Sequence, residues 1–128
     1  MGQDAGGFYR WAMADLLHIT ERTLWENAVE SGSYQISTRG ISLEQQGFIH
    51  CSLPHQLRGV AEANYDDVSD LVVLVIDEAS LPADVRYEDG GDGEKYPHIY
   101  GPLPANSVTE VISVTRDASG RLILPENR

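Results

Sequence analysis

Apolar residues recur along the chain at two spacings, and each spacing predicts a type of element. In DLLHIT (15–20) side chains alternate between two faces over a short run, which predicts a first strand. Thr20 then suits a helix N-cap, and ERTLWENAVESG places Leu24, Trp25, Ala28 and Val29 at helical spacing up to a stop at Gly32. Residues 33–47 are polar with glycines at 40 and 47, which predicts a loop carrying one short strand around Tyr34–Ile36. GFIHCS (47–52) predicts the next strand. Ser52 caps the helix that follows, Pro54 sits in its first turn, and Leu57, Val60, Ala61 and Asn64 share one side. DLVVLVID (70–77) is continuously apolar at its centre, as a strand buried on both faces would be. VRYE (85–88), a turn-rich tip at 89–95, PHIYG (97–101) and the alternating VTEVISV (108–114) follow. DASG (117–120) then turns into RLIL (121–124). Two early helices with strands clustered after them predict an α+β domain over 15–128, preceded by an irregular arm at 1–14.

A chain of 128 residues with 41% hydrophobic content can bury one core without staples. No apolar run approaches the ~18 residues that a membrane helix needs, and the opening stretch does not read as a secretory signal. Cys51 is the sole cysteine, which excludes an internal disulfide and a Cys-rich zinc site. The expectation is a cytoplasmic protein with no membrane partner. Net charge is −11, and eleven carboxylates lie between Glu62 and Glu94 against one base, Arg86. That surface repels a polyanion, so bulk nucleic acid is excluded as a partner. A small phosphate-bearing ligand needs only one or two arginines. Among Arg10, Arg22, Arg39, Arg58 and Arg86, the pair Arg39 and Arg58 stands out, one in the polar loop and one on the helix after His50.

Strand parity organises the candidate chemistry. His18 shares a face with Leu16 and Thr20, His50 with Phe48 and Ser52, and His98 with Tyr100. If the three faces converge they form one polar cleft in which imidazoles act as acids, bases or donors. Each histidine on its own reads as a hydrogen-bonded structural group, and the repetition over three strands is what points to function. Cys51 is turned away from its neighbour His50, so the two form no nucleophile–base dyad and Cys51 reads as apolar filler. His55 reads as an exposed residue of the helix start. Three histidines are also the ligand number of an open zinc site, although no HxH or HExxH spacing is present. DGGDGE lacks the alternating acids and closing glutamate of a calcium loop.

LLHIT, Trp25, GFIHCS and HIYGPLP together resemble the bacterial domain of unknown function 952 family, over roughly residues 15–115. More distantly, His18-Ile19-Thr20 is similar to the NAD-binding strand of ADP-ribosyltransferase-like folds. GFIHCS with its helix is similar to a motif of the RNA 2′-phosphotransferase branch. That likeness implies a twisted, mostly antiparallel core with His18 and Thr20 at the ADP-ribose end of NAD and His50 at the reacting end. His98 and Tyr100 would lie at the third position of the site. Apart from the likeness, Ser52 on the His50 face and the clamp candidates Arg39 and Arg58 are the remaining ligand-contact candidates. The chain departs from the pattern in having no glutamate within Pro97–Gly101; Glu88 and Glu94 are the nearest acids. The expectation is therefore a transferase-type domain binding NAD or a related small ligand, with His50, His18 and His98 as catalytic candidates. A non-enzymatic ligand-binding module and a histidine-based metal enzyme stand as alternatives.

Overall fold

The apolar run Leu71–Ile76 becomes the middle strand of the central sheet, with every residue buried, because both of its faces are covered. A computed structural model describes residues 15–125, so the arm at 1–14 lies outside the described residues. In chain order the elements are β1 (Leu16–Glu21), α1 (Arg22–Ser31), β2 (Ser33–Tyr34), β3 (Ile36–Thr38), β4 (Ile41–Ser42), α2 (Leu43–Gln46), β5 (Ile49–His50), α3 (Leu57–Tyr65), β6 (Leu71–Ile76), β7 (Val85–Asp89), β8 (Lys95–Ile99), β9 (Leu103–Pro104), β10 (Val108–Ser113), β11 (Thr115–Arg116) and β12 (Leu122–Ile123). One antiparallel sheet runs β1-β6-β10 and a second runs β5-β8-β7. The two are stitched where Leu17 and Ser52 exchange backbone hydrogen bonds of 2.8 and 2.7 Å.

Period-2 alternation in β1 and β6 divides the core. Leu16, Val72, Leu74 and Ile76 face a cluster with Ala28, Tyr34, Ile49, Cys51, Ile99 and Leu103. Leu17, Ile19, Leu71, Val73 and Val75 face a second cluster with Leu57, Ala61, Tyr65 and Leu122. Helix α1 packs Leu24 and Trp25 against the first cluster, and α3 closes the second. The α+β class and mostly antiparallel core hold, with three helices rather than two among the described residues.

Local departures have local causes. Thr20 is not a helix cap: it is a wholly buried strand residue, and Glu21 takes the N-cap position without a side-chain hydrogen bond. Gly32 does end α1, in the left-handed region at φ 88°. Val29 is exposed, because α1 is short and turns a narrow apolar stripe inward. The 33–47 segment is richer than a loop. It holds the β3–β4 hairpin and the one-turn helix α2, for which Ser42 and Gln45 form a reciprocal capping box. Ser52 caps nothing, because its backbone is committed to Leu17, and α3 starts only at Leu57 after a turn through Pro54. Tyr65, and not Asn64, completes the buried face of α3.

Leu74 is fully buried between its two antiparallel neighbours. Leu74→Ala is expected to cost about 2–5 kcal/mol, read as a lowered urea midpoint at unchanged m-value.

Candidate functional site

Antiparallel register builds the site. His50 lies opposite His98, His98 lies opposite Arg86, and Tyr96 lies opposite Glu88. Residues directly opposite share a face, so His50, His98, Arg86, Glu88 and Tyr96 project together while Ile49 and Ile99 turn into the core. Phe48 and Tyr100 extend this face. Phe48 stacks on the His98 ring at 3.9 Å, and the Arg86 guanidinium lies 4.2 Å over the Tyr100 ring.

The hydrogen bonds settle which nitrogen carries which proton. Glu88 Oε1 accepts from His98 Nδ1 at 2.8 Å and from the Tyr100 hydroxyl at 2.5 Å. Those two donors, Tyr100 first, hold the Glu88 carboxyl below its ordinary pKa, so it is ionised and can only accept. His98 Nδ1 is therefore protonated. In the neutral ring its Nε2 accepts from His50 Nδ1, 3.3 Å away. Burial, and secondarily the neighbouring His98, lowers the His50 pKa to about 4. His50 is accordingly neutral near pH 7, and opposite a neutral His98 ring its proton sits on Nδ1 and its Nε2 is bare. A proton added to His98 reverses the link: His98 Nε2 then donates to His50 Nδ1, and the His50 proton moves to Nε2.

Over His50 the surface opens into two adjoining hollows of about 330 and 370 Å³ that share His50, Asn64 and Gly90. Ser37, Gln46 and Phe48 border the first, and Ala63, Asp92 and Tyr96 the second. The 89–95 tip forms one rim and is internally organised. Asp89 accepts from the Gly91 and Gly93 amides, and Asp92 accepts from the Tyr96 hydroxyl at 2.6 Å. Gln56 ties this tip to the start of α3 through Glu94 and the Lys95 carbonyl.

The three histidine faces do not all converge. His98 and His50 meet, whereas His18 lies beneath them, 3% exposed, with both ring nitrogens engaged. Its Nδ1 donates to the His50 carbonyl at 2.7 Å, and its Nε2 accepts from the Tyr34 hydroxyl at 2.7 Å. Burial lowers the His18 pKa to about 4, which keeps the ring neutral and this tautomer in place. Thr20 lies beside the Tyr34 phenol in the core, where its hydroxyl makes no hydrogen bond of ordinary geometry. Ser52 is buried. Arg39 pairs with Asp67 at 2.6 Å and bonds the Asn64 carbonyl, while Arg58 reaches Glu62 and the Leu122 carbonyl, so the two do not form a clamp. Cys51 is buried in the first cluster, its thiol pKa pushed up by burial. His55 is exposed and touches Glu94 at 3.2 Å. Sequence reasoning named Glu88 only as a nearby acid. The parity of VRYE against PHIYG was the available signal for it.

His18 and Thr20, expected at the ADP-ribose end of NAD, are enclosed, and the open rim carries Asp89 and Asp92. The three rings also fail to meet at one point as metal ligands would. Among the described residues no group of three or more His, Cys, Asp and Glu could hold a metal ion, and no helix is long and apolar enough to cross a membrane.

Residues 19–111 match the model of a family described as protein of unknown function (DUF952). The chain is similar to the crystal structure of protein CC0527 from Caulobacter crescentus. The TM-score is 0.77 and the identity 28%, covering 87% of this chain and 95% of that one. The solution structure of the same Caulobacter protein matches with a TM-score of 0.69 and 28% identity, over 83% of this chain and 89% of that one. No curated protein matches the sequence. None of these matches is described as an ADP-ribosyltransferase.

The depressed His18 pKa makes stability pH-dependent. The unfolded imidazole takes a proton near 6.5 and the folded one only near 4, so this stability is complete above pH 6.5 and is lost as pH falls towards 4. The expected loss from His18 alone is about 3 kcal/mol across that window, read from urea midpoints, and His18→Asn should flatten the slope.

Proposed function

Because the chain belongs to the DUF952 family, a family of unknown function, we propose its role from the geometry of the site: it binds a small molecule in the cleft over His50, with His50 Nε2 as general base and acid. One observation carries this reading. The line Glu88–His98–His50 leaves a single unbonded imidazole nitrogen, and that ring borders both hollows. In this role His50 Nε2 takes a proton from a bound group, the Nδ1 proton passes to His98, and the resulting imidazolium is stabilised by the Glu88 carboxylate. Return of the proton along the same line makes His50 the acid for the following step. A positioned base of this kind is worth about 10²–10⁴ in rate. His98, Glu88 and His18 are positioning residues: the first two set the His50 tautomer, and His18 anchors the backbone that carries it.

An ADP-ribose-bearing ligand such as NAD is the rival occupant, on the strength of the sequence likeness in His18-Ile19-Thr20 and GFIHCS. The acidic rim and the paired Arg39 count against it. A ligand-binding module without turnover would use the same cleft.

Nitrogen-15 imidazole NMR tests the base. His50 is expected to show a bare Nε2 at pH 7 and to titrate near 4, and Glu88→Gln should mix the tautomers of His50 and His98. A proton resident on His50 Nε2 at pH 7 would remove the reading. Millimolar NAD, added to the same sample, should leave the His50 signals unmoved. Saturable shifts would favour the rival.

A further inference from the structure

His50 and His98 are joined ring nitrogen to ring nitrogen, Nδ1 to Nε2, at 3.3 Å. That link holds a single proton, so whichever ring supplies it fixes what the far nitrogen of His50 presents. The far nitrogen of His98 is already committed, since Nδ1 donates to the Glu88 carboxylate at 2.8 Å. The far nitrogen of His50 is Nε2, on the ring that borders both hollows. While His98 is neutral, His50 supplies the shared proton and its Nε2 is an acceptor. Once His98 is charged, His98 supplies it and His50 Nε2 is a donor.

The surroundings decide which ring holds the first added proton. His98 is 5% exposed, yet it has an ionised carboxylate on Nδ1 and the Phe48 ring stacked on its face at 3.9 Å and 8°. Both favour an imidazolium. The Tyr100 hydroxyl also bonds Glu88, and the Arg86 guanidinium lies over the Tyr100 ring, so this edge of the sheet holds the carboxylate charged. The His50 ring meets His98 and, at 5.1 Å, the ring of Tyr96, whose hydroxyl proton is placed on Asp92. His18, beneath the His50 carbonyl, stays neutral through its burial. The hydrogen bonds of Asp89 and Asp92 on the rim go to amides of the tip and to Tyr96.

We propose that His98 sets the hydrogen-bonding specificity of the cleft, so that His50 Nε2 meets a ligand as an acceptor while His98 is neutral and as a donor once His98 is charged. The inference rests on the reading of His50 as the base and extends it. The protons balance simply: one arrives from the cleft at His50 Nε2, and the His50 Nδ1 proton passes to His98 Nε2. The product is the same species that the base would leave after taking a proton from a ligand. Acid solution therefore fills the site with its acid form in advance, and the base is lost before the His50 ring is itself charged. A ligand group over His50 must donate a hydrogen bond in the first state and accept one in the second.

Nitrogen-15 imidazole NMR on the full chain, wild type and His98→Gln, tests this between about pH 8 and 5, the range in which histidines ordinarily charge. In the wild type, His50 Nε2 is expected to pass from bare to protonated and Nδ1 from protonated to bare, in step with the charging of His98. The His50 ring carries one proton throughout. In His98→Gln, where residue 98 takes up no proton, His50 is expected to keep the same tautomer mixture over the whole range. An Nε2 that stays bare while His98 charges would overturn the proposal. So would a His98 that stays neutral throughout, a second proton on His50 before His98 charges, or a tautomer change retained in His98→Gln. Should that variant not fold, the wild-type titration decides alone. A proton on His50 Nε2 while His98 is still neutral removes the base and the inference together; a bare Nε2 that does not follow His98 removes only the inference.

Discussion

Two backbone hydrogen bonds between Leu17 and Ser52, reinforced by the bond from His18 Nδ1 to the His50 carbonyl, join the two three-stranded sheets of this domain. Strand β5 is only Ile49–His50, too short to hold its own position. It is pinned on one side by its pairing with β8 and on the other by this junction. A buried imidazole suits the task because it presents a donor and an acceptor at a set angle and, once desolvated, does not charge near neutral pH. Tyr34 satisfies the far nitrogen at 2.7 Å, so the anchor is complete and no polar atom of the ring is left bare.

The placement of His50 follows from that anchor. Its ring stands between a core that excludes water and a cleft that admits it, and the same burial that keeps it neutral keeps its lone pair available. Glu88 and Tyr100 act at one remove by setting the proton on His98. The Phe48 ring stacked on His98 and the Arg86 group over Tyr100 limit how far those side chains can swing. For the base proposed above, preorganisation of this sort matters more than any single distance in the chain, since a base must meet its proton in one geometry.

Charge is distributed unevenly around the hollows. The rim formed by the 89–95 tip is acidic, and its carboxylates are held in place by the tip's own amides and by Tyr96. The arginines that would have offset them are engaged elsewhere: Arg39 on Asp67, and Arg58 on Glu62 and the Leu122 carbonyl. For an occupant of the proposed cleft, that acidity disfavours anions.

Much was legible in the sequence because periodicity is a local property. The doubly buried run 71–76, the stop at Gly32 and the inward turn of Cys51 each follow from the spacing of side chains on a strand or helix. Parity also put His50 with Phe48 and His98 with Tyr100 on shared faces. It was silent on which faces meet, because that depends on register between strands 48 residues apart. Only the tertiary structure separated His18 from its two counterparts and placed it in the core as an anchor. The same holds for Ser37, whose neighbours in sequence predict an ordinary polar loop. The bulge against β4 and the packing around β5 bury its hydroxyl beside the cleft, and burial of a polar group is a property of the whole fold that no local pattern encodes.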